Sequence, residues 1–261
     1  MGSSERPRGS LARGLVFQAG LVLSVVVWGT LSLATAPFPY RWRYWFISRW
    51  CCWMELWLRL AAGITHEIEG FEHVRGQPGV VMAKHQSTWE TISLVRWFYP
   101  QTWVLKRELV WLPLFGWALG LLQPIAIDRR AGRNAVKQVV EQGRERLAAR
   151  RWVVVFPEGT RVPAGQKGRY RMGGAVLACR TGVPVVPVAH NAGEHWPRDG
   201  IRIRPGRIRV EIGEPIDTQG KAPDEVLREV ERWIEQRMPA LSRHGYPGTV
   251  FERRKHGRGK R

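Results

Sequence analysis

The sequence predicts an α/β fold, a mostly parallel central sheet flanked by helices, preceded by an N-terminal two-helix membrane-anchoring segment. Three observations carry this expectation. Short apolar strands alternate with helical segments after Thr65, residues 14–40 contain no charged side chain, and a Trp-rich stretch follows directly. At 261 residues the chain can bury one sizeable core with a small appendage. The expected organisation is a basic tail at 1–13, anchoring helices at 14–62, a principal domain at 63–240 and a second basic tail at 241–261.

Residues 15–33 are mostly Leu, Val and Ala, long enough for a helix to cross a hydrocarbon layer of ~30 Å. Arg6, Arg8 and Arg13 precede them, and Arg41 and Arg43 follow. The flanking charges are nearly balanced, so a bent or re-entrant segment fits as well as a span. Ala34-Thr35-Ala36 mimics a signal-peptide cleavage site. The apolar run is long for a signal, however, and the Arg residues after it would hinder export, so a retained anchor is expected.

Residues 42–62 read as an amphipathic interfacial helix. Ser48, Cys52, Glu55 and Arg59 recur at helical spacing, leaving Trp45, Trp50, Trp53, Trp57, Leu56 and Leu60 over the remainder. A core helix of the following domain has the same pattern. Next come a buried-type strand at 80–83, a helix at 88–97, a strand at 102–105 and an apolar helix at 109–121. A short strand at 124–127, a charged amphipathic helix at 131–150 and a strand at 153–156 follow. A helix at 173–181 and a strand at 185–189 complete the alternation. Residues 201–210 alternate strictly on both sides of Pro205-Gly206 and predict a hairpin with one Arg-covered face. A last helix is expected at 223–238. The tail from Arg253, with six basic residues in nine, is expected to be disordered.

The formal charge of +19 attracts polyanions, among them nucleic acid, anionic lipid and acidic carrier proteins. Fourteen Trp shift the balance towards a membrane surface, because an indole favours the boundary between apolar and wet surroundings. Cysteine usage, an adjacent Cys51-Cys52 pair and a distant Cys179, is a poor disulfide framework and points to a reducing compartment.

Two segments carry chemistry. His85-Gln86-Ser87-Thr88-Trp89-Glu90 follows a buried strand directly, where α/β folds place reactive groups. Neutral imidazole is the usual base near pH 7, and Glu90 would accept its other ring N–H if His85 lies in the loop and Glu90 in the first helical turn. Ser87 and Glu90 also form a capping-box pattern, which would make Glu90 structural. Phe156-Pro157-Glu158-Gly159-Thr160-Arg161 follows a second buried strand. It forms either an ordinary turn or one whose N–H groups and Arg fork meet a phosphate.

The two segments, about seventy residues apart, together resemble the 1-acylglycerol-3-phosphate acyltransferase family. Lys106-Arg107-Glu108-Leu109 with Pro113 and Gly116 is similar to that family's second block. Tyr170-Arg171-Met172-Gly173 and Val183-Pro184-Val185-Val186-Pro187-Val188 are similar to later ones. The resemblance spans roughly residues 65–215, and the N-terminal helix pair suits the family's anchor. It implies an acyltransferase domain that moves a fatty acyl group from a thioester, acyl-CoA or acyl carrier protein, to the free hydroxyl of lysophosphatidic acid. Phosphatidic acid for phospholipid synthesis would result.

By the same resemblance His85 would be the general base and Glu90 its orienting acid. Lys106 and Arg161 would hold the acceptor phosphate, Glu158 and Gly159 would shape the glycerol site, Thr160 would bind substrate beside them, and Arg171 would meet phosphate. Pro184, Val185, Val186 and Pro187 would line the acyl path. The family's usual acid is Asp, one methylene shorter than Glu90, and Lys is common where Arg171 stands. No cofactor or metal is implied, and anionic membrane lipids, not nucleic acid, are the expected partners. The expected location is the cytoplasmic face of a bacterial inner membrane.

Other acceptors fit the motifs as well: glycerol 3-phosphate, a lyso-ornithine lipid or another lysophospholipid. A membrane-tethered polyanion-binding protein would account for the charge but leaves the ordered blocks unexplained. A zinc site built from His85, Glu90 and His66, His190 or His195 has no usual ligand spacing.

Overall fold

The computed structural model describes residues 9–198 and 200–251. The basic stretches 1–8 and 252–261 of the two expected tails lie outside the described residues.

Helix α1 (Leu11–Leu33) is capped by Ser10, whose hydroxyl accepts the Arg13 N–H at 3.3 Å. After Arg13 it has no charge to solvate, and Leu15, Val16, Val22, Leu23, Val26 and Val27 are exposed along it. Helix α2 (Tyr40–Trp57) folds back on α1 and ends in one π-helical turn (Leu58–Ala62), stopped by Gly63 in the left-handed region at φ 66°. Three indoles join the pair. Trp57 Nε1 donates to the Phe17 carbonyl at 3.1 Å, Trp50 Nε1 to Ser24 Oγ at 3.1 Å and Trp28 Nε1 to the Phe46 carbonyl at 3.3 Å. Each partly buried ring thereby satisfies its one donor.

The polar stripe expected to face water on α2 partly turns inward. Ser48 and Glu55 are buried, and Glu55 pairs with Arg96 of helix α3 (Trp89–Trp97). A charged partner on the neighbouring element makes burial of that carboxylate tolerable. The exposed side of α2 carries Trp42, Trp45 and Leu56, and Leu60 follows in the π turn.

Seven strands form the main sheet: β1 (Ile64–Glu69), β2 (Val80–Ala83), β3 (Gln101–Lys106), β4 (Ile125–Ile127), β5 (Trp152–Val155), β7 (Val185–His190) and β8 (Gly206–Ile212). Short strands β6 (Gln166–Lys167) and β9 (Thr249–Val250) pair separately. The main order is β1-β8-β7-β2-β5-β3-β4, and only the β7–β8 pair is antiparallel. Helices α4 (Phe115–Leu121), α5 (Arg133–Ala148), α6 (Gly173–Thr181), α7 (Ala192–His195) and α8 (Pro223–Leu241) complete the chain.

The central strands are apolar throughout because both their faces are covered. Val81, Ala83, Val154, Val186 and Val188 pack with α1, α2 and α3 in one core. Their alternating neighbours Val80, Met82, Val153, Val155 and Val185 pack with α5, α6 and α8 in the other.

Two expected elements differ. The hairpin at 201–210 does not form. Only β8 is a strand there, held between β1 and β7, while Ile203 makes a single bridge to Ser10. Its period-2 apolar side, Ile208, Val210 and Ile212, is buried by the sheet and needs no hairpin partner. The apolar helix at 109–121 is broken into a 3₁₀ turn (Arg107–Trp111) and α4, because Pro113 lacks an N–H and Leu114 takes φ 60°. The C-terminal tail also differs in part, since α8 runs to Leu241 and residues up to Val250 return to pair with β6.

Candidate active site

Strands β2 and β5 lie side by side, with Val80 opposite Val153 and Met82 opposite Val155. Their chains leave the sheet at the same edge, so the His85 and Arg161 segments become adjacent loops. Such carboxyl ends of parallel strands are where open sheets bind ligands. The loops are tied together directly. The Val162 N–H donates to the His85 carbonyl at 2.7 Å, and the His85 N–H donates to Glu158 Oε2 at 2.7 Å. The His85 ring stacks on Phe156, centroid to centroid 4.2 Å at 16°.

His85 Nδ1 lies 2.8 Å from Glu90 Oε1. That oxygen also accepts the Gln86 and Ser87 N–H groups, each at 2.8 Å. Glu90 therefore orients the imidazole and ties down the start of α3 together. Helix α3 begins one residue later than the capping box implies, with Thr88 as N-cap and Ser87 Oγ accepting the Trp89 N–H. Glu90 is fully buried. Burial pushes its pKa up, but His190, the bond from His85 and the Ser87 N–H outweigh it and hold the carboxyl below its ordinary value.

His190, at the end of β7, backs the pair, its Nε2 standing 4.0 Å from Glu90 Oε2. The Ala192 N–H donates to its Nδ1 at 3.2 Å, so Nε2 carries the proton and donates to the Lys84 carbonyl at 2.8 Å. Burial lowers the pKa of His190 and favours this neutral form.

Beneath the loops lies a buried charge cluster. Lys84 Nζ sits 2.9 Å from Glu158 Oε1 and 2.8 Å from Glu235 Oε1, and donates to Tyr246 Oη at 3.0 Å. Tyr170 Oη donates to Glu235 as well, at 2.9 Å. Burial lowers the pKa of Lys84, but the two carboxylates outweigh it and raise it above the ordinary value. Burial dominates for Glu158, whose pKa is raised despite Lys84. Removing one partner from such a cluster typically costs about 3–5 kcal/mol, because the others are left uncompensated.

An apolar cavity of about 620 Å³ opens beside the dyad between α1, α2, α3 and α4. Val25, Ile47, Trp50, Ala118 and Leu122 are among its walls, and His85 and Arg161 lie on its lining. Arg161 Nη1 donates to Thr88 Oγ1 at 2.9 Å, which fixes the guanidinium against the start of α3 and beside the imidazole loop. A base, a cation and a long apolar recess thus converge. That arrangement suits an amphiphile with an anionic head and a hydroxyl to be deprotonated.

Comparison with known proteins agrees. Residues 65–191 match the family model described as Acyltransferase. The chain is 46% identical over 235 residues to the 1-acyl-sn-glycerol-3-phosphate acyltransferase of Pseudomonas aeruginosa, covering 88% of this chain and 91% of that one. The chain belongs to the 1-acyl-sn-glycerol-3-phosphate acyltransferase family. It is 32% identical over 177 residues to the human 1-acyl-sn-glycerol-3-phosphate acyltransferase alpha, covering 66% of this chain and 62% of that one. The fold is that of the crystal structure of the 1-acyl-sn-glycerophosphate acyltransferase PlsC of Thermotoga maritima. The TM-score is 0.72 at 24% identity, over 88% of this chain and 94% of that one.

Within this acyltransferase the expected site residues occupy several distinct places. His85, Glu90 and Arg161 converge at the cavity. Gly159 and Thr160 continue the Arg161 turn, and Gly159 adopts φ 66° beneath the Arg171 side chain, with Arg129 Nη1 donating to its carbonyl at 2.6 Å. Lys106 ends β3, one strand beyond β5, where it pairs with Glu108 at 3.2 Å. Glu158 is turned inward, to Lys84 and the His85 N–H, and is 4% exposed.

Pro184, Val185, Val186 and Pro187 lie in and before the lower part of β7, away from the cavity lining. Pro187 pairs with Met82, three residues short of His85, which places the segment roughly 10 Å or more below the reactive edge. The apolar walls of the cavity come from α1, α2, α3 and the region around α4. His66 packs against Trp89 and Trp97, and His195 Nδ1 lies 3.2 Å from the Arg204 carbonyl. Sequence reasoning missed Lys84, Tyr170, Glu235 and Tyr246 as a cluster and His190 as backing for Glu90. The only available signals were the position of Lys84 beside His85 and of His190 at a strand end.

Proposed function

We propose that the chain esterifies the free hydroxyl of 1-acyl-glycerol-3-phosphate, with His85 as general base and Glu90 as its orienting acid. The supporting observation is the 2.8 Å His85–Glu90 contact at the lining of a cavity shared with Arg161. With Nδ1–H engaged by Glu90, Nε2 is left to take the acceptor proton. The hydroxyl oxygen bonds to the thioester carbonyl carbon as its proton passes to Nε2. The tetrahedral adduct then breaks its C–S bond, and the departing thiolate takes the proton back from the imidazolium. The thioester is already reactive, so no covalent enzyme intermediate is required. A base of this kind contributes about 10²–10⁴-fold.

In this reading Arg161 meets the acceptor phosphate, with Lys106 and Arg171 as further cations on neighbouring loops, and Gly159 and Thr160 shape the glycerol site. Glu158 acts from beneath, holding the His85 backbone. The acyl chain enters the 620 Å³ cavity. Fixing the phosphate decides which hydroxyl faces His85, a positioning effect that can exceed the proton transfer itself.

Helix α1 is long and apolar enough to cross a membrane, with mean hydropathy 1.9. With α2 it would hold the domain against a bacterial inner membrane. The unpaired thiols Cys51, Cys52 and Cys179 and the need for an intracellular thioester favour the cytoplasmic face. Lys and Arg near an anionic leaflet add about 1 kcal/mol each.

The acceptor is tested by supplying oleoyl-CoA or acyl carrier protein with lysophosphatidic acid, glycerol 3-phosphate or lyso-ornithine lipid and weighing the products. Phosphatidic acid as the dominant product is expected. Turnover only on one of the other acceptors would reassign the substrate.

A further inference from the structure

The break at Pro113 and Leu114 turns a set of large apolar side chains outward. Leu109, Trp111, Leu112, Phe115 and Trp117 are 38%, 63%, 47%, 36% and 49% exposed. Soluble surfaces rarely cluster apolar groups in this way without a partner. The turn is built to hold them there. Gly116 sits so close to the 3₁₀ turn that a Cβ on it would stand 2.3 Å from the Leu109 carbonyl oxygen. Gly29 of α1 meets Leu114 less tightly, an added Cβ standing 3.1 Å from the Leu114 Cβ. The exposed patch is therefore continuous with the exposed Val22, Leu23, Val26 and Val27 side of α1.

Two further observations identify the partner. Val22 and Val26 from α1 and Leu109 and Phe115 from the turn line the cavity and are themselves exposed, so the cavity mouth lies between these two elements. A mouth with an apolar rim suits hydrocarbon rather than water. Basic groups collar the apolar tip, with the Arg107 guanidinium 5.8 Å from the Trp111 ring centroid and a half-exposed Lys106 beside it. Indoles with flanking cations are the side chains favoured at a bilayer's headgroup boundary.

We propose that residues 109–117 form a second membrane-inserting element, and that lysophospholipid passes from the bilayer into the cavity between this turn and α1. The entry route rests on the acceptor assigned above; the insertion does not. The turn presses Trp111, Leu112 and Trp117 into the same leaflet as the start of the catalytic loops. The acyl chain then never has to leave hydrocarbon to reach His85.

A fluorophore tests the insertion. Leu112→Cys, in a Cys52→Ser/Cys179→Ser background, is labelled with NBD and the full chain is reconstituted into phosphatidylethanolamine–phosphatidylglycerol vesicles. Glu141→Cys, on the exposed side of α5, serves as the aqueous control. The label at 112 is expected to be quenched by doxyl lipid and shielded from iodide. Iodide quenching equal to that at 141 would overturn the proposal.

The entry route has its own arm. Trp111→Ser/Leu112→Ser/Trp117→Ser, none of which lines the cavity, should lower kcat/KM roughly ten-fold or more for long-chain lysophosphatidic acid in vesicles. Turnover of a short-chain, water-soluble analogue should stay within about two-fold. Equal losses on both acceptors would overturn the route. A wild-type protein inert towards both would overturn the acceptor assignment and leave the fluorescence result standing.

Discussion

At the scale of residues, the site depends on one carboxylate oxygen that serves three donors. Glu90 Oε1 holds the His85 ring and the Gln86 and Ser87 N–H groups, so its removal disturbs both the base and the loop that carries it. Glu90→Gln should lower kcat by about 10²-fold while leaving KM for the acyl donor little changed, read by steady-state kinetics. Its stability should also respond differently to acid. The folded-state pKa of Glu90 is depressed, so its contribution is present above the unfolded value of about 4.3 and is lost as pH falls through the folded value. Glu90→Gln should therefore show a flatter loss of stability in that window, measured by denaturant titration from neutral pH downwards. His85 and Glu90 were singled out in the sequence only through the family resemblance, since a His before a capping-box Glu reads equally well as a structural helix start. The inward turn of Glu158 was not legible. A motif carboxylate reads as a ligand contact until Lys84, Glu235 and the His85 N–H are seen around it.

At the scale of elements, the alternation of strands and helices was readable because strands buried on both faces must be continuous apolar runs. Val80–Ala83 and Val185–His190 announced themselves in that way. What period-2 patterning does not encode is the partner. The alternation at 201–210 fits a hairpin and an inserted strand equally, and β8 found its neighbours in β7, the preceding strand, and in β1, distant in sequence. The apolar cavity was hidden for a similar reason. Its walls come from four helices that meet only in the folded state, whereas the role given to 184–187 came from the family resemblance alone. If the recess holds the acyl chain, Ala118→Trp should shorten it from the α4 side. Loss of room for one methylene is worth ~1–3 kcal/mol. The variant should prefer shorter chains by roughly ten-fold or more per excluded methylene, seen in competition assays with lysophosphatidic acids of mixed chain length.

At the scale of the whole molecule, the sheet separates two jobs. One face packs against α5, α6 and α8, while the other carries α1, α2 and the cavity with its exposed apolar rim. The catalytic edge lies where the second face meets the loops, so a headgroup held by Arg161 and a chain held by α1 are consistent with one amphiphile lying across both. Under the membrane proposal the net charge of +19 and the fourteen Trp, unspecific in themselves, would share one purpose. The central claim is that His85 deprotonates the acceptor hydroxyl. Its direct test is single-turnover formation of phosphatidic acid by wild type and His85→Ala, in vesicles containing lysophosphatidic acid and oleoyl-CoA, followed by mass spectrometry. The account predicts a loss of about 10²–10⁴-fold in the rate of the chemical step with acceptor binding retained. A variant that forms phosphatidic acid at the wild-type rate would contradict it.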